Sequence, residues 1–173
     1  MPTKKPQSKK ITTNKKELSK DLRAYKVFAI KEGTVIDHIK AGKALKIIEL
    51  LKLDSNNKIV TLGLNFPSKT LKKKDIIKVE KKELTPEEAN KVAILAPQAT
   101  INIIRDFQVV KKFKVKIPTV VEKLLVCPNP KCITNNENMK TSFKTNVTKN
   151  VVKVRCEYCE KIFDQNEIKS YNI

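Results

Sequence analysis

The chain of 173 residues has no tryptophan, three glycines, one histidine and an aromatic fraction of 5%. The scarcity of glycine excludes a glycine-rich fibre. No stretch approaches the roughly 20 consecutive apolar residues of a membrane span. The basic start, MPTKKPQSKK, is followed by no apolar run, so we expect no secretory signal there. These absences favour a cytoplasmic protein without a membrane partner, in a compartment that keeps thiols reduced.

Positive charge is abundant instead. The formal net charge is +19, which predicts an anionic partner without choosing one. Residues 1–20 hold seven lysines and one glutamate, and so contribute +6 of this charge. Because this segment has almost no apolar content, we expect it to be disordered and solvated, with a nucleic-acid arm as the alternative.

Apolar periodicity from residue 25 onward predicts six elements. We expect strands at 25–31, 57–65, 74–81 and 100–110, and helices at 41–53 and 85–97. The order strand, helix, strand, strand, helix, strand is that of a ferredoxin-like unit, an antiparallel sheet with both helices on one face. The other face then needs a cover, often another subunit.

The two predicted helices differ in the clarity of their signals. The second has an N-cap at Thr85, a proline at Pro86 and a capping box completed by Glu88. Its buried face should consist of Ala89, Val92, Ala93 and Ala96. The first should bury Ala41, Ala44, Leu45, Ile48 and Leu51.

All four cysteines lie in the last part of the chain, after a boundary suggested by Pro118. Cys127 and Cys132 are separated by four residues, Cys156 and Cys159 by two, and the pairs by 23. Two such knuckles, joined by a β-hairpin, present four sulfurs to one tetrahedral ion. We therefore predict one structural zinc, which would also stabilise a segment too short to fold on its core alone.

Other interpretations of the cysteines are weaker. Disulfides and unrelated buried thiols remain the alternatives, although reduced surroundings and the paired spacing disfavour both. A redox C-x-x-C lacks its usual βαβ context. A catalytic zinc would need an open position, and four sulfurs leave none.

Several short segments resemble one family, the regulatory chain of aspartate carbamoyltransferase. They are GTVIDHI, LGLN, KDIIK, APQATIN, LVCPN and CEYCEK, and the similarity runs from about residue 25 to 165. The resemblance implies a non-catalytic, cytoplasmic subunit of a hetero-oligomer in pyrimidine biosynthesis, without catalytic residues of its own. We accordingly expect an α+β chain with a ferredoxin-like, nucleotide-binding allosteric domain at 21–117 and a β-rich, zinc-ribbon-like domain at 118–173.

The resemblance also implies partners and site residues. Two copies should pair through their allosteric domains, the zinc domain should hold the catalytic chains, and CTP or ATP should act as effectors. Position by position, the nucleotide pocket falls on Val27, Ile30, Asp37, His38, Lys78, Asn102, Ile104, Val109 and Lys112. Asn129 and Glu160 are the positions expected at the catalytic-chain interface.

Two other classes of function compete with this interpretation. A nucleic-acid-binding zinc ribbon would suit the charge, but Phe143, Tyr158 and Phe163 do not form a basic and aromatic stripe. Nucleic acid is therefore disfavoured as a partner. An enzyme is the weakest hypothesis, because the sequence offers no nucleophile–base pair and no glycine-rich phosphate loop.

Overall fold

A computed structural model describes residues 28–55, 57–148, 151–168 and 170–171. The lysine-rich segment at 1–20, expected to be disordered, lies outside the described residues, as does Val27. None of the helices in the described ranges is long and apolar enough to cross a membrane.

The first part of the described chain forms five strands and two helices. They are β1 (Gly33–Lys40), α1 (Ala44–Leu50), β2 (Val60–Ser68), β3 (Lys72–Glu80), α2 (Pro86–Leu95), β4 (Thr100–Arg105) and β5 (Gln108–Lys114). The strands form one antiparallel sheet in the order β2-β3-β1-β4-β5. The first four strands in this order have the neighbours expected of a ferredoxin-like unit, so the predicted fold class is confirmed. β5 is an additional edge strand.

The core lies between one face of this sheet and the two helices. Ile36, Ile77 and Ile101 are fully buried there, and each comes from a different central strand. Both helices contact this core and each other, so they cover the same face of the sheet. The opposite face carries polar side chains and is not covered by either helix.

The capping box of α2 is confirmed. Thr85 Oγ1 accepts a hydrogen bond from the Glu88 amide (3.2 Å), and the Glu88 carboxylate accepts one from the Thr85 amide (2.9 Å). Reciprocal bonds of this kind satisfy amides that a helix start leaves free. The predicted face of α2 is buried as expected, namely Ala89, Val92, Ala93 and Ala96.

Three local predictions are wrong. The first strand is Gly33–Lys40 and not 25–31, since residues 28–32 are irregular. The segment 100–110 is not one strand, because Asp106 and Phe107 both have positive φ and turn the chain into a hairpin. α1 buries Ala44, Ile47 and Leu50, whereas the predicted Leu45 is 62% exposed.

The second sheet has four antiparallel strands in sequence order. They are β6 (Val120–Glu122), β7 (Ser142–Thr148), β8 (Val151–Cys156) and β9 (Ile162–Asp164). The β7–β8 hairpin confirms the predicted link between the two knuckles. Phe143 and Leu125 are fully buried beneath this sheet, and the four cysteines contact the same core.

Candidate metal centre and ligand surface

The four cysteine sulfurs meet at one point of the second unit. All lie within 4.8 Å of one another. The Cys127 and Cys159 sulfurs are 3.7 Å apart, and the Cys132 and Cys156 sulfurs 3.8 Å apart. These distances exclude disulfides, which need about 2.05 Å. A tetrahedral site with sulfurs at about 2.3 Å from the ion has edges of about 3.8 Å, so the arrangement fits a metal ion.

The surroundings favour the thiolate of Cys132 over those of Cys127 and Cys156. Burial raises the pKa of Cys127 and of Cys156. Burial also acts to raise the pKa of Cys132, but the Thr134 hydroxyl and amide, together with neighbouring thiols, lower it to about 7. The Thr134 hydroxyl donates to the Cys132 sulfur at 3.2 Å. A cation would be needed to hold Cys127 and Cys156 as thiolates beside Cys132.

Asparagine side chains support the first knuckle, and we had not singled them out from the sequence. Asn135 Nδ2 donates to the carbonyls of Cys127 (2.9 Å) and Asn129 (2.8 Å). Asn136 Nδ2 donates to the Cys132 carbonyl at 2.9 Å. These bonds fix the backbone between the first two sulfurs. The only sequence signal was the pair of adjacent asparagines soon after Cys132, a residue type that often bonds to nearby backbone.

Three residues predicted for the nucleotide pocket form one cross-strand row on the uncovered face of the first sheet. Lys78 is opposite Val35, Val35 is opposite Asn102, and Asn102 is opposite Lys112. Burial lowers the pKa of Lys78. The Asn102 side chain donates to the Val35 carbonyl at 3.4 Å. The row thus offers two cations and an amide across four neighbouring strands.

Asp37 and His38 lie farther along β1. Asp37 forms an ion pair with Lys74 at 2.8 Å and accepts a hydrogen bond from the His38 amide at 2.7 Å. His38 has a φ of 60°, at a break in the pairing of β1 with β3. Lys74 was not predicted, although its place four residues before Lys78 puts both on one face of β3.

The apolar residues predicted for the pocket separate into two groups. Ile104 and Val109 are cross-strand partners beside the row, and Val109 is 57% exposed. Ile30 is buried and lies outside any strand, contrary to the prediction. It belongs to a segment that contacts the sheet, because the Phe28 carbonyl accepts a hydrogen bond from Lys78.

The two residues predicted for the catalytic-chain interface both adjoin the cysteine knuckles. Asn129 is half-buried, and its carbonyl accepts the Cys132 amide at 2.9 Å. Glu160 has a side chain 72% exposed and pairs with Arg155 at 3.1 Å. Asn129 therefore shapes the first knuckle, whereas Glu160 is available at the surface.

Comparison with known proteins agrees with both halves of this architecture. Residues 25–116 match the model for the aspartate carbamoyltransferase regulatory chain, allosteric domain, and residues 119–169 match the metal binding domain of the same chain. The protein belongs to this family. A regulatory chain from Pyrococcus horikoshii is 57% identical over 145 residues, covering 83% of this chain and 95% of the relative. One from Sulfolobus acidocaldarius is 47% identical over 162 residues, covering 92% and 94%.

Membership in the regulatory-chain family makes this a non-catalytic subunit. The closed set of four sulfurs agrees with that role, because it leaves no position on a tetrahedral ion for water or substrate. The chain thus combines an allosteric domain with a metal-binding domain.

Proposed function

We propose that this chain binds nucleoside triphosphates and transmits their binding to the catalytic chains of aspartate carbamoyltransferase, in the cytoplasm and within pyrimidine biosynthesis. CTP and ATP are the proposed effectors. The observation that carries the proposal is the row of Lys78, Asn102 and Lys112 on a sheet face that the helices leave uncovered. Two lysines can neutralise phosphate oxygens, and the neighbouring apolar side chains can contact a base.

The pocket we propose comprises Val27, Ile30, Asp37, His38, Lys78, Asn102, Ile104, Val109 and Lys112. Calorimetry of CTP and ATP with Lys112→Ala tests it. Loss of one charge-assisted contact should weaken binding about tenfold to a hundredfold. Lys111→Ala is the matched control, because Lys111 is adjacent in the strand and opposes the buried Ile103. Unchanged affinity in Lys112→Ala, or equal loss in both variants, would contradict the site.

The metal we propose is one structural zinc held by Cys127, Cys132, Cys156 and Cys159. The support is the closed, all-sulfur set with tetrahedral edges. A bound zinc would supply folding energy to residues 118–173 and no reaction chemistry. Metal analysis of the purified chain should find one zinc per chain, and the absence of metal from freshly prepared protein would contradict this.

The metal-binding domain is also our proposed contact with the catalytic chains, through a surface that includes Asn129 and Glu160. Its support is the nearness of both residues to the cysteine knuckles and the exposure of Glu160. A chelator or a mercurial should then separate regulatory from catalytic chains, because the contact surface is shaped by the metal. Co-elution of the two chains after complete metal removal would contradict this.

Residues 21–117, the proposed allosteric domain, should pair with a second copy. β2 and β5 are the edges of the sheet, and each carries an exposed apolar side chain, Leu64 and Val110. Unpaired edges with such side chains are suited to contact with another chain. Light scattering should give twice the 19.7 kDa of the single chain. A mass of one chain at micromolar concentration would contradict the proposal.

A further inference from the structure

A cavity of about 180 Å³ lies where the two domains meet, apart from the row on the open sheet face. Its wall on the allosteric side includes Lys40, Lys43 and the loop that follows α2. The opposite wall comes from the start of β8 and from residues 164–166. The volume exceeds the roughly 10–15 Å³ that one water needs, and falls below the roughly 300–1,000 Å³ of sites for drug-sized ligands. It therefore suits a small group and not a whole nucleotide.

The lysines in this cavity outnumber its acidic groups. Among the residues that the structure describes, neither Lys40 nor Lys43 has a carboxylate within 4.0 Å. Asp164 is the one acidic residue among the described lining residues, against the two lysines Lys40 and Lys43. The cavity therefore carries an excess of positive charge.

Lys43 is half-buried, and Lys40 beside it is exposed. Burial lowers the pKa of Lys43, and repulsion from Lys46 and Lys40 lowers it further. An anion placed near both Lys40 and Lys43 would reduce this repulsion. The Lys46 ammonium lies 5.8 Å from the centre of the Tyr171 ring, which is a cation–π contact. No such ring contact is found for Lys40 or Lys43 among the described residues.

We propose that this junction cavity binds a phosphate group, held by Lys40 and Lys43 between the two domains. Lysine ammonium groups bind phosphate as point charges, and the side-chain amides of the lining residues Gln98 and Asn166 can donate to the remaining oxygens. The phosphate group belongs either to free pyrophosphate or to a nucleoside triphosphate whose phosphates extend past His38.

The location gives such a phosphate a structural consequence. The two domains already touch here, since Gln165 Nε2 donates to the carbonyl of Ile94 at the end of α2. A phosphate contacting both walls would add attraction across the same boundary. Binding should therefore stabilise one arrangement of the domains, which is the requirement for an anion to influence the metal-binding domain.

Calorimetry with inorganic pyrophosphate, at fixed chloride concentration, tests the proposal on the full-length metal-loaded chain. Lys43→Gln should weaken binding about tenfold to a hundredfold, because it removes one charge-assisted contact and keeps a long polar side chain. Lys91→Gln, which removes an exposed lysine on α2 that is absent from the lining, should leave affinity unchanged. No pyrophosphate binding, or the same loss in both variants, would overturn the proposal.

Hydrogen exchange supplies a second measurement, which a change in net charge alone would not affect. Pyrophosphate should protect residues 94–98 and 164–168 together in the unmodified chain, and this joint protection should vanish in Lys43→Gln. Protection that is confined to the open sheet face would overturn the proposal, as would pyrophosphate binding lost in Lys112→Ala and retained in Lys43→Gln.

Competition between ligands distinguishes the two sources of the phosphate. If the group belongs to a nucleotide, pyrophosphate should compete with CTP. Lys43→Gln should then weaken the binding of CTP but not the binding of cytidine. If it is a free anion, CTP and pyrophosphate should bind together. Because pyrophosphate is tested alone, failure of the junction site and failure of the nucleotide site give different results.

Discussion

Substitution of Cys132 by serine should unfold the metal-binding domain and leave the allosteric sheet in place. Cys132 is 1% exposed, and its sulfur is both a corner of the four-sulfur cluster and the acceptor of the Thr134 hydroxyl. A structural zinc site contributes about 10–16 kcal/mol. That matches or exceeds the roughly 5–15 kcal/mol by which a whole domain is stable, so loss of the metal should not be tolerated.

Hydrogen exchange measured by peptide separates the two domains in this experiment. Cys132→Ser, or exhaustive chelation, should abolish protection at 142–156, which contains the buried Phe143 and Val154. Protection at 72–80, where β3 lies, should persist. Thr134→Val is the control: it removes one hydrogen bond to sulfur, costs about 0.5–1.5 kcal/mol and keeps the metal. Full protection at 142–156 in metal-free Cys132→Ser would refute the reasoning.

Four further predictions concern the allosteric domain. Thr85→Ala should lower the free energy of unfolding by about 1 kcal/mol in denaturant titrations, since it removes an N-cap. Burial acts to raise the pKa of Glu88, but hydrogen bonds that its carboxylate accepts from the Lys82 ammonium and the Thr85 amide lower the pKa below its ordinary value. The stability this gives should be fully present above pH 4.5 and lost as the pH falls below it, so a pH-independent effect of Glu88→Gln would contradict us. Gly33→Ala should cost about 2–5 kcal/mol by thermal unfolding, because φ is +135° and a β-carbon would lie 2.0 Å from the Val79 carbonyl oxygen. Asp75→Asn should cost about 1.5–3 kcal/mol, because its buried carboxylate accepts two backbone amides at 2.8 and 2.9 Å; a change below 0.5 kcal/mol, roughly the scatter of surface substitutions, would contradict this.

The features that sequence alone predicted well are those with local chemical causes. The capping box needs only Thr85 and Glu88 at fixed spacing, and the structure contains it. The cysteine cluster likewise follows from two short knuckles and an intervening hairpin. In the capping box, residues three positions apart determine the geometry. In the cluster, each knuckle is local and a single hairpin brings the two knuckles together.

The features that were wrong depend on the tertiary environment. The turn at Asp106 and Phe107 has positive φ at both residues without a glycine, so the usual hairpin signal was missing. The run at 25–31 is apolar enough for a strand, but the central position of the sheet is occupied by Gly33–Lys40. Glycine usually weakens a strand, but β1 begins at Gly33 because the close Val79 carbonyl leaves no room for a β-carbon there.

The row on the open face shows a further limit of sequence patterns. Lys78, Asn102 and Lys112 are far apart in sequence, and strand pairing alone makes them neighbours. In a chain with 37 lysines and arginines, composition cannot distinguish these two lysines from the others. Resemblance to a family selected them, and the register of the strands makes them neighbours.

Reconstitution with the catalytic chains tests the central claim most directly. The isolated catalytic chains should be active and their aspartate saturation curve should not respond to CTP or ATP, while this chain alone should bind nucleotides without carbamoyl transfer. Mixing the two should produce a nucleotide-dependent shift of the curve, because an effector can act only by binding two states of the complex with different affinity. Catalytic chains that respond to nucleotides by themselves, or a reconstituted complex that never responds, would contradict the account.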